Sequence, residues 1–189
     1  DRFWFLNQEK TELIQFQRDK FIHNWRKVGD ETNQYPRFEN ILPKFSKELS
    51  DLEDFYTQNF DINRIEINHC EVSYINHIYF EEVDKLKLDQ IFSFMNEKQD
   101  FEEFNCSFSN FLCNNDGQPY ARLQCNIDQA LSGAKGPLYR MTLSVKGIPR
   151  GETIEDAIDF IKCGRVEVVN YFKNLTGSEV HKLWELQDD

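Results

Sequence analysis

Residues 13–28, LIQFQRDKFIHNWRKV, decide the fold of this chain. Apolar and polar side chains alternate on both sides of Arg18 and Asp19, a pattern that predicts two strands joined by a turn at this pair. A short aromatic strand at residues 2–6, RFWFL, precedes them after a polar turn. The stretch is therefore expected to lie in the middle of an antiparallel sheet.

The rest of the chain alternates between helical and strand patterns. Helices are predicted at residues 37–58, 85–94 and 154–175 and after residue 176, and strands at residues 64–80, 101–113, 119–130 and 138–147. Pro43 implies that the first helix starts near Leu42 or is kinked, because proline fits only the first turn of a helix. Thr153 is the expected N-cap of the long helix, and Thr176 with Glu179 has capping-box spacing.

The order of the elements indicates an internal duplication. Three strands and a long helix follow one another in both halves, and a strand and a short helix open the second half alone. The predicted fold class is α+β, with two tandem β-α-β-β-β-α units of the helix-grip or TATA-binding-protein-like kind and helices on one face of antiparallel sheet. The expected domains are an incomplete unit at 1–60, which lacks its opening strand and helix, a complete unit at 64–175 and a docking helix at 176–189.

Composition narrows the function classes. The 189 residues include 17 phenylalanines and carry a net charge of −11, so the chain is globular and its charge repels a phosphate backbone. No stretch has the basic start of a signal peptide or the length of a membrane span, which predicts a cytoplasmic protein without a membrane or nucleic-acid partner. Five cysteines without C-x-x-C spacing indicate buried thiols, and no metal or cofactor is expected.

Most of the candidate binding residues lie in residues 13–28, which we call the organising stretch. Arginine pairs there are able to hold an anionic ligand in a bidentate grip. The alternative reading is structural, with two of these residues forming the turn and the others pairing across strands. The candidate set is Arg18, Asp19, His23, Trp25, Arg26 and Arg140.

Other titratable residues favour a structural reading. His69, Glu71 and His77 share one face of the predicted strand, but the two histidines would lie roughly 26 Å apart in extended chain. They cannot share one metal ion without a sharp bend. Cys70 belongs to the opposite, apolar face, and Cys163 has no paired base in the sequence, so no catalytic residue is assigned.

Several sequence words resemble those of an uncharacterised, sporadically distributed bacterial protein family. They are FWFLN, ELIQFQRDKFIHNWRKVG with YPRFE, CEVSYINHI and NYFKNLTGSEVHKLWE. The resemblance implies that this chain corresponds to the C-terminal three quarters of a longer protein, with the opening strand and helix upstream. It also implies an association with mobile-element or anti-phage defence loci, and it carries no catalytic residues.

These observations favour a non-enzymatic binding or interaction module. The aromatic strand at residues 2–6 is an edge that we expect a partner protein, or a missing N-terminal segment of the same protein, to cover. The alternative is a sensor of a small anionic or nucleotide-like ligand, held in a cavity between sheet and helices by Arg18, Arg26 or Arg140.

Overall fold

A computed structural model of the chain describes residues 1–29, 33–96, 101–133 and 135–184. It is α+β, with two antiparallel sheets of three and four strands. Residues 30–32, which follow the predicted hairpin, and the end of the predicted docking helix, residues 185–189, lie outside the described residues. None of the helices within the described ranges combines the length and apolar character needed to cross a bilayer.

The chain forms two compact units. The first comprises residues 1–66 with residues 152–158, and the second comprises residues 67–151 with residues 159–189. The predicted domain boundaries at residues 60 and 64 stay predictions.

The first unit contains a three-stranded meander and one long helix. Its elements are β1 (Arg2–Leu6), β2 (Glu12–Gln17), β3 (Lys20–Trp25) and α1 (Phe38–Asn59). The strands are antiparallel in the order β1-β2-β3. Gln17 lies opposite Lys20, so Arg18 and Asp19 form the two-residue turn that the sequence predicts.

The second unit contains a four-stranded sheet and three helices. Its elements are β4 (Cys70–Tyr79), α2 (Leu88–Ile91), β5 (Cys106–Cys113), β6 (Pro119–Ser132), β7 (Gly136–Gly147), α3 (Ile154–Leu175) and α4 (Ser178–Leu183). The order β4-β7-β6-β5 places the first strand beside the last. Asn115, Asp116 and Gly117 form the tight turn between β5 and β6, in which the Gly117 amide donates to the Asn114 carbonyl at 3.0 Å and Gly117 has a φ of 75°.

One face of this sheet supplies the core of the second unit. Alternate residues of β6 and β7 on that face are almost completely buried: Leu123, Cys125, Ile127, Met141, Leu143 and Val145. Helix α3 packs against it so closely that a Cβ at Gly164 would lie 2.8 Å from Val72 Cγ1. The Tyr120 and Phe160 rings meet edge-on at 6.5 Å. The apolar stripe of α3 therefore packs on the apolar face that alternating residues give the strands, and the two together form the core of the second unit.

Three predicted elements are substantially shorter in the structure. The predicted strand 64–80 is regular only over Cys70–Tyr79, because its partner β7 ends at Gly147, opposite Cys70, and Pro149 soon follows. Proline cannot continue a ladder, so the alternating residues before Cys70 have no strand to pair with. The predicted strand 101–113 shortens to Cys106–Cys113, and the predicted helix 85–94 to Leu88–Ile91.

The predicted helix at residues 37–58 is confirmed as α1, and of the two alternatives for Pro43 a start near Leu42 is excluded. The helix begins at Phe38 and continues through Pro43. Pro43 has no amide hydrogen and lies in the second turn of the helix, so the helix contains one backbone donor fewer at this point. Pro43 is exposed, which places this irregularity on the solvent side of α1.

Of the two predicted helix caps, one is confirmed. The Asp156 amide donates to Thr153 Oγ1 at 3.1 Å, and the Thr153 amide donates to the Asp156 carboxylate at 3.2 Å. The capping box at Thr176 is wrong, because Gly177 is the N-cap of α4. Thr176 instead donates its hydroxyl to the Phe172 carbonyl, at the end of the preceding helix.

Candidate functional site

Helix α1 covers the face of the first sheet that carries His23. Opposite residues of antiparallel strands share a face, so Glu12, Ile14 and Phe16 of β2 lie with Trp25, His23 and Phe21 of β3. Rings bind the helix to this face: the Phe21 and Phe45 centroids are 5.8 Å apart, and those of Phe16 and Tyr56 are 6.4 Å apart. One face of the organising stretch is thus packed against helix α1.

His23 is the centre of a polar cluster inside this layer. Its side chain is only 2% exposed, and its Nδ1 lies 2.6 Å from Glu48 Oε2. A carboxylate only accepts, so Nδ1 carries the proton and donates it. Nε2 lies 3.9 Å from Glu12 Oε2, beyond hydrogen-bond distance, and has no hydrogen-bond partner among the described residues. Lys44 Nζ pairs with the other oxygen of Glu12 at 2.5 Å.

The cluster fixes α1 on the sheet. Glu48 and Lys44 belong to successive turns of α1, while Glu12 and His23 belong to two neighbouring strands. Buried polar groups stabilise a packing arrangement only when they are paired, and here each of the two contacts joins helix to strand. The depth of His23 gives the cluster a structural role, and the predicted contact of His23 with an external ligand stays a prediction.

The two arginines of the organising stretch do not converge. Arg18 is exposed in the turn, whereas Arg26 follows the far end of β3 and donates Nε to the Lys10 carbonyl at 3.1 Å. The strand between them is alone about 17 Å long at ~3.3 Å per residue. Arg18 and Arg26 therefore cannot hold the same small anion.

The other candidate residues have contacts of their own. Asp19 is exposed in the same turn as Arg18. Trp25 is half-buried and meets Tyr35 edge-on at 5.1 Å. Arg140 belongs to β7, in the second sheet, where its guanidinium pairs with Asp128 at 2.8 Å. Each of these three side chains thus has a separate environment.

The histidines near β4 and the cysteines were expected to be structural residues. His69 precedes β4 and is exposed, while His77 is exposed on β4, so the two do not face one site. The expectation of buried thiols is correct for Cys70 and Cys125 and wrong for Cys113 and Cys163, which are exposed. Burial raises the pKa of the Cys70 thiol to about 11 and that of Cys125 to about 12, which disfavours the reactive thiolate at neutral pH. Within the described ranges, no three His, Cys, Asp or Glu side chains are grouped to hold a metal ion.

The most exposed apolar element is β1. Phe3, Trp4, Phe5 and Leu6 are between 47% and 59% exposed. Among the described residues β1 pairs with β2 alone, so its other edge is open. Such an edge presents unpaired backbone groups and usually carries charges, proline or a cover that block pairing. Here four apolar side chains stand in a row instead.

The direction of the open backbone groups follows from the ladder. The Asn7 amide donates to the Glu12 carbonyl at 3.1 Å, which continues the β1–β2 register by one pair. Hydrogen-bonded pairs alternate in an antiparallel ladder, so Phe5 and Phe3 also bond to β2. The amide and carbonyl of Trp4 and of Leu6 consequently point away from β2, toward the open edge.

An aromatic surface continues from β1 onto α1. Phe3 lies opposite Phe16, Phe16 contacts Tyr56, and Tyr56 contacts Phe60 at 5.3 Å between centroids. Phe55 and Phe60 are more than half exposed. The strand part of this surface is evident in the sequence. Phe55 lies outside the apolar stripe of α1, so the sequence pattern does not predict that it belongs to the surface.

The sequence and structure were compared with models of known protein families, with curated proteins and with solved structures. No family model, curated protein or solved structure matches the chain.

Proposed function

We propose that the protein is an interaction module that docks a strand of a partner protein on the open edge of β1. The observation that carries this proposal is the combination of an unpaired strand edge with four exposed apolar side chains, Phe3 to Leu6. A strand added to an open edge gains affinity from main-chain hydrogen bonds and specificity from alternate side chains. On β1 these side chains are Phe3 and Phe5 on one face and Trp4 and Leu6 on the other.

The proposed tandem plan explains why β1, rather than β3, is the docking edge. Both meanders, β1-β2-β3 and β5-β6-β7, are followed by a helix of 22 residues. If they are copies of one β-α-β-β-β-α unit, the position of β4 beside β7 corresponds to the free edge of β3. An opening strand would then pair with β3, and β1 would remain open for a partner.

Co-purification with the products of neighbouring genes tests the proposal. Trp4→Pro removes one outward amide and leaves the β1–β2 bonds in place, since proline is tolerated on an edge where its nitrogen faces solvent. Trp4→Ser removes the ring and keeps the amide. Leu131→Ser is the matched control, because Leu131 is 84% exposed on β6 in the other sheet.

We expect the wild-type chain and Leu131→Ser to retain a neighbour, and Trp4→Pro to lose it with an unchanged unfolding temperature. The double variant Arg18→Ala with Arg26→Ala should retain it, because these arginines lie at the two ends of β3, away from the open edge of β1. A neighbour that binds Trp4→Pro as well as wild type, or a wild-type chain that retains no neighbour and is itself monomeric, would refute the proposal.

A further inference from the structure

Resting on the proposed docking role of β1, we infer that its occupant is a second copy of this chain. The five residues of β1 are self-complementary in an antiparallel register centred on Trp4. Trp4 then lies opposite Trp4, Phe3 opposite Phe5, and Arg2 opposite Leu6 of the second copy. Opposite residues share a face, so each aromatic ring meets another aromatic ring.

The backbone agrees with this register. Trp4 and Leu6 direct their amide and carbonyl toward the open edge, and Arg2 does so by the same alternation. In the symmetric register, Trp4 bonds to Trp4 of the second copy and Arg2 bonds to its Leu6. In each of these hydrogen-bonded pairs, the amides and carbonyls of both residues point toward the shared edge. The contact is closed and isologous, which limits it to two copies.

The aromatic surface of α1 favours a second copy over an isolated strand. A two-fold axis perpendicular to the sheet keeps both α1 helices on one side of a six-stranded sheet. The C-terminal part of α1 lies over β2, where Tyr56 contacts Phe16. Three strand spacings of about 4.8 Å separate β2 from its copy, so the two helix ends lie roughly 14 Å apart.

Packed helices are separated by about 8–10 Å, so a separation of about 14 Å leaves room for side chains at the C-terminal end of α1, where Phe55 and Phe60 are exposed. A single added strand would satisfy the edge of β1 but would leave these two rings in water. A second copy covers both the strand and the helix part of the aromatic surface.

The interface area and the charge set the expected strength. Five half-exposed rings, Phe3, Trp4, Phe5, Phe55 and Phe60, contribute on the order of 500 Å² per copy. This is less than the roughly 800 Å² per partner of a stable complex, which indicates a weak dimer whose population depends on concentration. Each copy carries a charge of −11, so added salt should screen the repulsion and tighten the dimer.

Sedimentation equilibrium over a wide concentration range, at low and high salt, tests the inference. We expect wild type and Leu131→Ser to dimerise, more tightly at high salt, and Trp4→Pro and Trp4→Ser to dimerise at least tenfold more weakly. Circular dichroism of each variant verifies that it is folded. A monomeric wild type, or a Trp4→Pro chain that dimerises as tightly as wild type, would overturn the inference.

Disulfide trapping tests the register. Opposite Cα atoms of an antiparallel pair are about 5.5 Å apart, within the reach of a disulfide. In a background with the exposed Cys113 and Cys163 changed to serine, Trp4→Cys should form a covalent dimer under mild oxidation, and Leu131→Cys should not. Equal cross-linking of the two variants would contradict the symmetric pairing.

The two proposals fail separately. A monomeric wild type that loses a co-purified neighbour on Trp4→Pro overturns the second copy as occupant and supports the docking role of β1. A dimer that is insensitive to every Trp4 variant also overturns the second copy as occupant of β1, whereas only a neighbour that is equally insensitive overturns the docking role.

Discussion

Gly177→Ala should strongly destabilise the second unit. Gly177 has a φ of −77° and a ψ of 153°, which any residue adopts, so the substitution causes no conformational strain. A Cβ at this position would lie 2.0 Å from the Gln90 carbonyl oxygen. The obstacle is backbone, which cannot rotate aside as a side chain can, so the two segments must separate.

The magnitude follows from what that separation breaks. The Gly177 amide donates to the Ile91 carbonyl at 2.9 Å, and Phe92 pairs with Thr176 in an isolated bridge beside it. Overpacking costs about 1–3 kcal/mol and a lost buried hydrogen bond about 1 kcal/mol. The sum of about 3 kcal/mol corresponds to a fall of roughly 6–12 °C in unfolding temperature for a chain of this size.

Two other glycines calibrate the measurement. A Cβ at Gly133 meets nothing within 4 Å, so Gly133→Ala should leave the unfolding temperature unchanged. At Gly164 the nearest atoms are valine methyl groups, and alanine gains about 1 kcal/mol of helix propensity, so Gly164→Ala should cost much less than Gly177→Ala. Thermal unfolding followed by circular dichroism ranks the three variants. A Gly177→Ala chain as stable as Gly133→Ala would refute the steric reasoning.

Three further outcomes can be measured. Glu48→Ala should cost about 1–3 kcal/mol in urea unfolding, because it leaves the buried Nδ1–H of His23 unpaired, and Glu48→Gln, which keeps an acceptor, should cost less. The Thr153 hydroxyl and amide lower the pKa of Asp156 in the folded state. The stabilisation from this cap is therefore fully present at pH values above the ordinary carboxyl pKa and is lost as the pH falls through the folded-state pKa. Thr153→Ala should flatten that part of the stability–pH profile. Cys125, whose pKa is raised to about 12 by burial, should react with a thiol reagent at pH 8 only after unfolding, whereas the exposed cysteines should react at once.

Local patterns predicted the elements whose partners are near in sequence. The hairpin around Arg18 and Asp19 was predictable because the turn and both strands are contiguous. The 22 residues of α3 were predictable because an apolar stripe and the Thr153 cap mark the helix. The predicted strand 64–80 was too long because pairing of its first residues depends on where β7 ends, and alternation carries no information about a partner.

The candidate site was less predictable for the same reason. Alternation placed His23 and Trp25 on one face, but it did not show that α1 covers this face. Glu48, the hydrogen-bond partner of His23, lies 25 residues later in the chain and carried no signal. The edge at β1 was predictable because a meander of contiguous strands pairs β1 with β2 alone, and the order β1-β2-β3 confirms this for the described residues.

The strand order β4-β7-β6-β5 has a consequence for the rate at which the second unit folds. The β5-β6-β7 meander closes through short turns, whereas β4 pairs only with β7, from Tyr79 with Leu138 to Cys70 with Gly147. Every residue pair of the β4–β7 ladder closes a chain loop that contains β5 and β6. The conformational entropy of so large a loop is lost before the ladder can form. Substitutions in β4 should therefore accelerate unfolding more than they slow refolding, and those at the β5–β6 turn should do the reverse.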